Sequence, residues 1–170
     1  QKKEEEFKIK LVKDFSRKNK PKLLADIGCN DGLYSFESLK AGTLKVIGFD
    51  IDINAIDKAY KKSIKEDLSF LPLYFNAMNP SSKIGWNENE RRSFKERMNF
   101  DAMIALAFEH HLALGNNVPL EDVVKWLMNI APKGLIEYVD KDDETVKKML
   151  ALKGDIFPDY NLKNFEKYIE

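Results

Sequence analysis

The chain alternates short apolar runs with longer segments in which apolar residues recur at helical spacing. Apolar runs with the length of a buried strand predict strands at residues 22–27, 46–50, 69–75, 102–108 and 134–139. Segments with one apolar face predict helices at residues 3–18, 35–40, 54–65, 120–129, 143–151 and 161–170. Strands and helices that alternate in this way predict a doubly wound α/β domain with a mainly parallel sheet and right-handed crossovers.

Length and composition are consistent with one domain over residues 1–170. Hydrophobic residues make up 44% of the chain and charged residues 33%, which is typical of a globular protein. Lys+Arg and Asp+Glu number 28 each, so no overall charge directs the chain to nucleic acid or to a membrane surface. The single Cys29 excludes an intramolecular disulfide. With no signal peptide and no apolar run that could span a bilayer, this composition favours a cytoplasmic location.

The loop after the first predicted strand has the spacing Asp26-x-Gly28-x-Asn30-x-Gly32, and Asp50 ends the next strand. Glycine lets the backbone approach a ligand, and an acid at the end of the second strand can accept the hydroxyls of a ribose. The loop therefore predicts a nucleoside-containing cofactor. It departs from the Gly-x-Gly-x-x-Gly pattern of dinucleotide sites, and an acid just before the loop would repel a diphosphate but suits a cationic amino-acid group. A nicotinamide oxidoreductase is thus the weaker interpretation.

This spacing resembles motif I of the class I S-adenosylmethionine-dependent methyltransferases, with Asn30 in place of the middle glycine. Asn tolerates positive φ better than most residues, so the replacement is mild. The resemblance implies a Rossmann-like sheet with strand order 3-2-1-4-5, Asp26 near the methionine amino group, and Asp50 on the ribose hydroxyls. The positions that it assigns to S-adenosyl-L-methionine are Asp26, Gly28, Cys29, Asn30, Gly32, Asp50, Ile51, Asn76, Ala77 and Met78.

Residues 76–100 are longer than the connection that the alternation of strands and helices requires. They follow the third predicted strand, at the sheet edge where open α/β sheets bind ligands. In the family the residue that closes this strand faces the adenine. It is more often Asp, and Asn76 occupies the matching position. We expect the rest of the insertion, with Trp86, to form a lid near the active site. Residues 1–20 are expected to add an N-terminal helix to the domain.

The Glu109-His110-His111 segment follows the fourth predicted strand, at the edge where an acceptor would meet the methyl group, and it holds both histidines of the chain. A histidine that titrates near neutrality can take a proton from a hydroxyl acceptor. These residues therefore predict an O-methyltransferase with His110 or His111 as general base, and with Glu109 either orienting the imidazole or contacting the substrate. The alternative is that one histidine caps the next helix while the other packs in the core.

A metal site and a nucleic-acid substrate are both disfavoured by the residues around this segment. Methyltransferases that modify the 2′-hydroxyl at small-RNA 3′ ends carry Glu-x-x-Glu-His after this strand and bind a divalent ion, but their first Glu matches Leu106 here. We therefore assign no metal ligands. The Asp/Asn-Pro-Pro-Tyr signature of amino-directed nucleic-acid methylases is absent as well. RNA 2′-O-methylation stays open as an alternative.

Three further segments resemble a branch of methyltransferases found among nodulation and surface-glycan biosynthesis proteins. They are Gly85-Trp86, His110-His111-Leu112 and Phe157-Pro-Asp-Tyr160. The resemblance implies a small-molecule or glycan hydroxyl as acceptor, and leaves open a methyltransferase-like domain that binds cofactor or a partner without transferring methyl. Complete class I enzymes add an antiparallel hairpin after the fifth strand. Because residues 161–170 predict a helix, we expect that hairpin to be lacking here, and the oligomeric state stays undetermined.

Overall fold

The computed structural model describes residues 2–170, and for Lys2, Leu152 and Lys153 the backbone alone. The strands are β1 (Leu23–Ile27), β2 (Lys45–Asp50), β3 (Phe70–Tyr74), β4 (Ala102–Ala105) and β5 (Gly134–Ile136). The helices are α1 (Lys2–Asn19), α2 (Leu33–Lys40), α3 (Ile53–Lys65), α4 (Phe94–Arg97), α5 (Leu120–Met128), α6 (Glu144–Lys153) and α7 (Leu162–Ile169). A 3₁₀ turn at Trp86–Glu88 and a π-helix at His111–Gly115 lie between them.

The strands form one sheet in the order β3-β2-β1-β4-β5, and within residues 2–170 every pairing in that sheet is parallel. The predicted Rossmann-like fold with order 3-2-1-4-5 is therefore confirmed. The chain runs outward from β1 to β3 and then returns to place β4 on the other side of β1. This reversal is the topological switch point, where open α/β sheets bind ligands beyond the carboxyl ends of their strands.

The central strand β1 is buried on both faces because its alternate residues serve two apolar cores. Ala25 and Ile27 belong to one core, whereas Leu24 packs with Val46 and Ile104 in the other. Alternation of side chains along a strand places successive residues on opposite sides of the sheet. The largely apolar run that predicted this strand is therefore typical of a strand with helices on both faces.

Two predicted strands end earlier than expected. Residues 102–108 were expected to be one strand, but β4 stops at Ala105, and Ala107 has φ +49°, which a strand cannot contain. The expected strand at 134–139 stops at Ile136, because the backbone N–H of Glu137 makes the last bond to β4, at 3.0 Å from the Ala105 carbonyl. Because β4 ends at Ala105, β5 has no neighbouring strand to pair with beyond this point.

The N-terminal helix α1 packs against α2 and reaches the residue that follows β5. Its Val12 is fully buried, and Ser16 bonds Ser38 of α2 at 2.9 Å. Lys8 forms an ion pair with Glu137, just beyond β5, at 2.8 Å. Among the helices of residues 2–170, none, α1 included, combines the length and apolar character needed to cross a membrane.

Candidate active site

The loop between β1 and α2 is held in a conformation that its glycines and Asn30 make possible. Gly28, Asn30 and Gly32 have φ of +78°, +48° and +88°. A Cβ on Gly28 would lie 2.8 Å from Cδ2 of Phe108, so the absence of a side chain also lets this aromatic ring pack against the loop. Asn is the non-glycine residue type best suited to positive φ, as the sequence suggested.

Asp50 ends β2 and contacts this loop directly. Its Oδ2 accepts a hydrogen bond from the Asn30 backbone N–H at 2.8 Å, and its Oδ1 accepts one from the Asp52 N–H at 2.9 Å. A carboxylate oxygen can accept more than one hydrogen bond. The Asp50 carboxylate is thus fixed in orientation by two backbone donors and can still accept from a ligand.

A cavity of about 850 Å³ opens beyond the carboxyl ends of the strands, within the size range of small-molecule and cofactor sites. Its wall is made by the loop after β1, the end of β2, the segment after β3 and the segment after β4. The sequence-predicted residues that line it are Gly28, Cys29, Asn30, Asp50, Ile51, Asn76, Ala77, Met78 and His111. The structure thus brings most of the predicted cofactor positions together with one of the two histidines.

Four predicted site residues do not line this cavity. Gly32 has its Cα against the core, where a Cβ would lie 2.7 Å from Cε1 of Phe70. Asp26, Glu109 and His110 are buried, with 2%, 0% and 2% of their surface exposed. These three side chains lie in the interior, behind the segments that line the cavity.

The Asp26 carboxyl lies in the core with the Ser35 hydroxyl as its hydrogen-bond donor, at 2.6 Å. Burial raises the pKa of Asp26 to about 7, and the charge of Asp50 adds to the increase, while the Ser35 bond opposes it. Burial likewise raises the pKa of the neighbouring Cys29 thiol, so this cysteine is not an activated nucleophile.

Glu109 is the centre of a buried hydrogen-bonded group. Its Oε1 accepts bonds from the Val139 backbone N–H at 2.9 Å and from the Tyr160 hydroxyl at 2.6 Å. Its Oε2 lies 3.3 Å from Nδ1 of His110. The carboxylate therefore joins the segment after β4 to the segments after β5 and α6.

His111 is the histidine that reaches the cavity. Its ring lies against that of His110, with 4.3 Å between the centroids and a tilt of 36°. Partial burial lowers the pKa of His111, and the neighbouring His110 lowers it further, against the smaller opposite effects of Glu109 and Asp50. The imidazole is therefore neutral at neutral pH, as a proton acceptor must be.

Sequence reasoning missed the apolar part of the wall and the contribution of α1. The lining residues it did not identify are Glu5, Asp31, Leu33, Tyr34, Phe49, Phe75, Leu106, Ala107, Phe108, Leu112 and Gly115. Phe75 directly follows β3 and Leu106 directly follows β4, so their positions at strand ends could have predicted them. Glu5 had no such signal, because only the tertiary packing of α1 brings it to the cavity.

Trp86 of the predicted lid does not cover the cavity. Asn76 Oδ1 accepts the Met78 backbone N–H at 2.9 Å, which holds the start of the insertion in the cavity wall. Trp86, farther along, is 83% exposed and is not a lining residue. Among the described residues, no group of three or more His, Cys, Asp and Glu side chains is arranged to hold a metal ion.

No family profile matches the chain. Over 158 residues, 93% of its length, it is 50% identical to the nodulation protein NoeA of Rhizobium meliloti (strain 1021). The chain spans 33% of the length of that relative. A shorter match of 47 residues, 28% of this chain and 16% of the other, is 44% identical to the tRNA U34 carboxymethyltransferase of Campylobacter lari.

Solved structures with the same fold have low sequence identity. The YcgJ protein of Bacillus subtilis superposes with a TM-score of 0.61 at 13% identity, covering 94% of this chain and 64% of that one. The bifunctional kinase-methyltransferase WbdD superposes with a TM-score of 0.55 at 18% identity, covering 79% of this chain and 29% of that one. The chain therefore shares the fold of these solved structures, and by sequence it is similar to the nodulation protein NoeA.

Proposed function

We propose that the chain is an S-adenosylmethionine-dependent methyltransferase domain that methylates a hydroxyl of a small molecule or glycan. The observation that carries the proposal is one cavity that joins the Gly28 loop and Asp50 to a neutral histidine, His111. The first two fit a nucleoside cofactor, and the third fits an acceptor that must lose a proton. The class I methyltransferase fold supports the same assignment.

The residues around the Gly28 loop and Asp50 support S-adenosylmethionine as the cofactor. Asp50 can accept the ribose hydroxyls with a carboxylate already oriented by Asn30 and Asp52. Asn76 and its neighbours, with aromatic side chains in the same wall, suit an adenine. The buried Asp26 carboxyl would favour a cationic amino-acid group through its charge when it is ionised. A bound cofactor would supply a methyl group on a positively charged sulfur.

The protein's part in the reaction is to hold the acceptor and to receive its proton. His111 would accept the hydroxyl proton at a ring nitrogen, and its lowered pKa keeps that nitrogen free at neutral pH. His110 and Glu109 would support the ring from the core rather than touch substrate. Most of the rate enhancement would come from orientation of the acceptor in the cavity.

The choice of acceptor rests on the relatives. The resemblance to nodulation and surface-glycan biosynthesis proteins and the match to NoeA favour a small-molecule or glycan hydroxyl. The short match to a tRNA-modifying enzyme covers 28% of this chain, so RNA is the second candidate acceptor. The balance of 28 basic and 28 acidic residues gives no general attraction to a polyanion.

The cofactor assignment is tested by titration calorimetry with S-adenosylhomocysteine and, separately, with NAD. We expect binding of the first and none of the second, whereas binding of NAD alone would overturn the proposal. The acceptor is tested by incubating the protein with methyl-labelled S-adenosylmethionine and with separate glycan, small-metabolite and RNA fractions. Label in RNA would replace the proposed acceptor. Cofactor binding without label in any fraction would indicate a non-catalytic binding domain.

A further inference from the structure

Three chain segments that are distant in sequence meet at the Glu109 side chain. Val139 follows β5, and Tyr160 follows α6, 51 positions beyond Glu109. The Tyr160 contact to Glu109 is buried and the Val139 contact is partly buried, so water competes little with the first of these hydrogen bonds. In the proposed function, His111 contacts the acceptor, so whatever fixes this buried group also fixes the wall of the acceptor site.

The Tyr160 hydroxyl contacts this group at two acceptors. Its hydroxyl oxygen lies 2.6 Å from Glu109 Oε1 and 2.6 Å from the Val139 carbonyl oxygen. Burial and then the negative charge of Glu109 raise the pKa of Tyr160, so the phenol keeps its proton. A phenol has one proton to donate, so the two acceptors share it, and both stay close to the ring.

The contacts continue from Glu109 to the cavity. The Val139 N–H and the Tyr160 O–H both donate to Oε1, at 2.9 Å and 2.6 Å, so Glu109 is the acceptor in this group. A hydrogen bond from His110 to Oε2 then requires a proton on Nδ1. Donation from Nδ1 fixes the orientation of the His110 ring. The His111 ring packs against that ring at 4.3 Å between centroids.

We propose that Tyr160 is a positioning residue for the cavity histidine, acting through Glu109 and the Nδ1–H of His110. Tyr160 does not touch the cavity that holds His111, so its effect on the acceptor site is indirect. The catalytic meaning of this role rests on the proposed function, but the contacts themselves can be tested without cofactor or acceptor.

The test uses ¹⁵N-histidine labelling of tag-free protein, because the chain has two histidines and gives two sets of ring signals. In the wild type we expect His110 to carry its proton on Nδ1, with the signals assigned by His111→Gln. In Tyr160→Phe, which keeps the ring and removes the hydroxyl, we expect the His110 Nδ1 signal to shift. Unchanged signals for both histidines in a folded Tyr160→Phe variant would overturn the proposal.

Tyr138→Phe is the matched control, because its ring lies 5.3 Å from that of Tyr160 in the same cluster. We expect it to leave the His110 signal in place, and an equal shift in both variants would show a general packing effect and refute the specific role. If Tyr160→Phe does not fold, the wild-type spectrum decides, since a His110 ring without a proton on Nδ1 contradicts the proposal. Tyr160→Phe should bind S-adenosylhomocysteine with the same affinity as the wild type. If the wild type does not bind S-adenosylhomocysteine, the proposed function is rejected, but the positioning role of Tyr160 is not.

Discussion

Asp50 Oδ2 accepts the backbone N–H of Asn30 at 2.8 Å, so the acid that ends β2 also holds the glycine loop that follows β1. The two parts of the sequence motif are therefore one structural unit before any ligand arrives. An orienting bond of this kind reduces the ordering that binding would otherwise require.

Asp50→Ala is expected to weaken S-adenosylhomocysteine binding by about 10- to 100-fold, because hydrogen bonds to a charged group contribute roughly 1.5–3 kcal/mol. Calorimetry measures this change. Asp52→Ala is the control, since Asp52 caps α3 by accepting the Asn54 N–H at 2.8 Å and is not a lining residue. It should lower stability by about 1 kcal/mol and leave affinity unchanged. Equal losses of affinity in both variants would contradict the proposed ribose role of Asp50.

Gly28→Ala is expected to destabilise the wild type more than it destabilises a Phe108→Ala background. Gly28 has φ +78°, so the alanine carries the same backbone strain, about 1–2 kcal/mol, in both backgrounds. In the wild type a Cβ on Gly28 would also lie 2.8 Å from Cδ2 of Phe108, an atom that the Phe108→Ala background lacks. The additional clash should cost roughly 1–3 kcal/mol in urea unfolding. Equal losses of unfolding free energy in the two backgrounds would show that Phe108 moves aside without cost.

Asp26→Asn should change how stability depends on pH. Burial raises the pKa of Asp26 from 3.8 to about 7, so the folded protein binds more protons than the unfolded chain between these values. Wild-type stability should therefore fall as pH rises from about 4 to about 7, by an amount on the order of 2–4 kcal/mol from this group. Asn can still accept the Ser35 hydroxyl bond and has no charge to bury. Urea unfolding across this range should show a flatter profile for the variant, and parallel profiles would refute the burial effect.

His111→Gln should change the pH dependence in the opposite direction. The pKa of His111 is lowered in the folded state, so the unfolded chain binds more protons just below the ordinary value of 6.5. This group should therefore make the wild type less stable as pH falls through 6.5 toward the lowered pKa, and the glutamine variant should lack that loss. Unfolding curves between about pH 5 and pH 7 would measure the difference. A stability loss of the same size in both proteins would show that His111 is not the source.

His111→Gln should also abolish most methyl transfer once an acceptor is identified, by about 100-fold or more if the histidine acts as general base. The wild-type rate should rise with pH through the lowered pKa of His111 and become level near neutrality. S-adenosylhomocysteine affinity serves as the control and should be nearly unchanged. Retained transfer in this variant would remove the base assignment while leaving the cofactor assignment in place.

The fold and the grouping of the glycine loop with Asp50 could be predicted from the sequence. A largely apolar run such as residues 22–27 predicted a strand buried on both faces, and the alternation of strands and helices predicted a parallel sheet. The spacing of Gly28, Asn30 and Asp50 placed these residues at one edge, because carboxyl ends of adjacent parallel strands meet there. These features depend on local pattern and on chain order, both of which can be read directly.

Which histidine reaches the cavity, and which residues lie behind it, depends on the tertiary packing. The adjacent residues His110 and His111 point to different environments because the turn at Ala107 and the π-helix that follows set the rotation of the chain there. That rotation places one ring in the wall and the other against Glu109, where Val139 and Tyr160 arrive from distant segments. Contacts between such distant residues depend on how the segments pack and leave no periodic signal in the sequence.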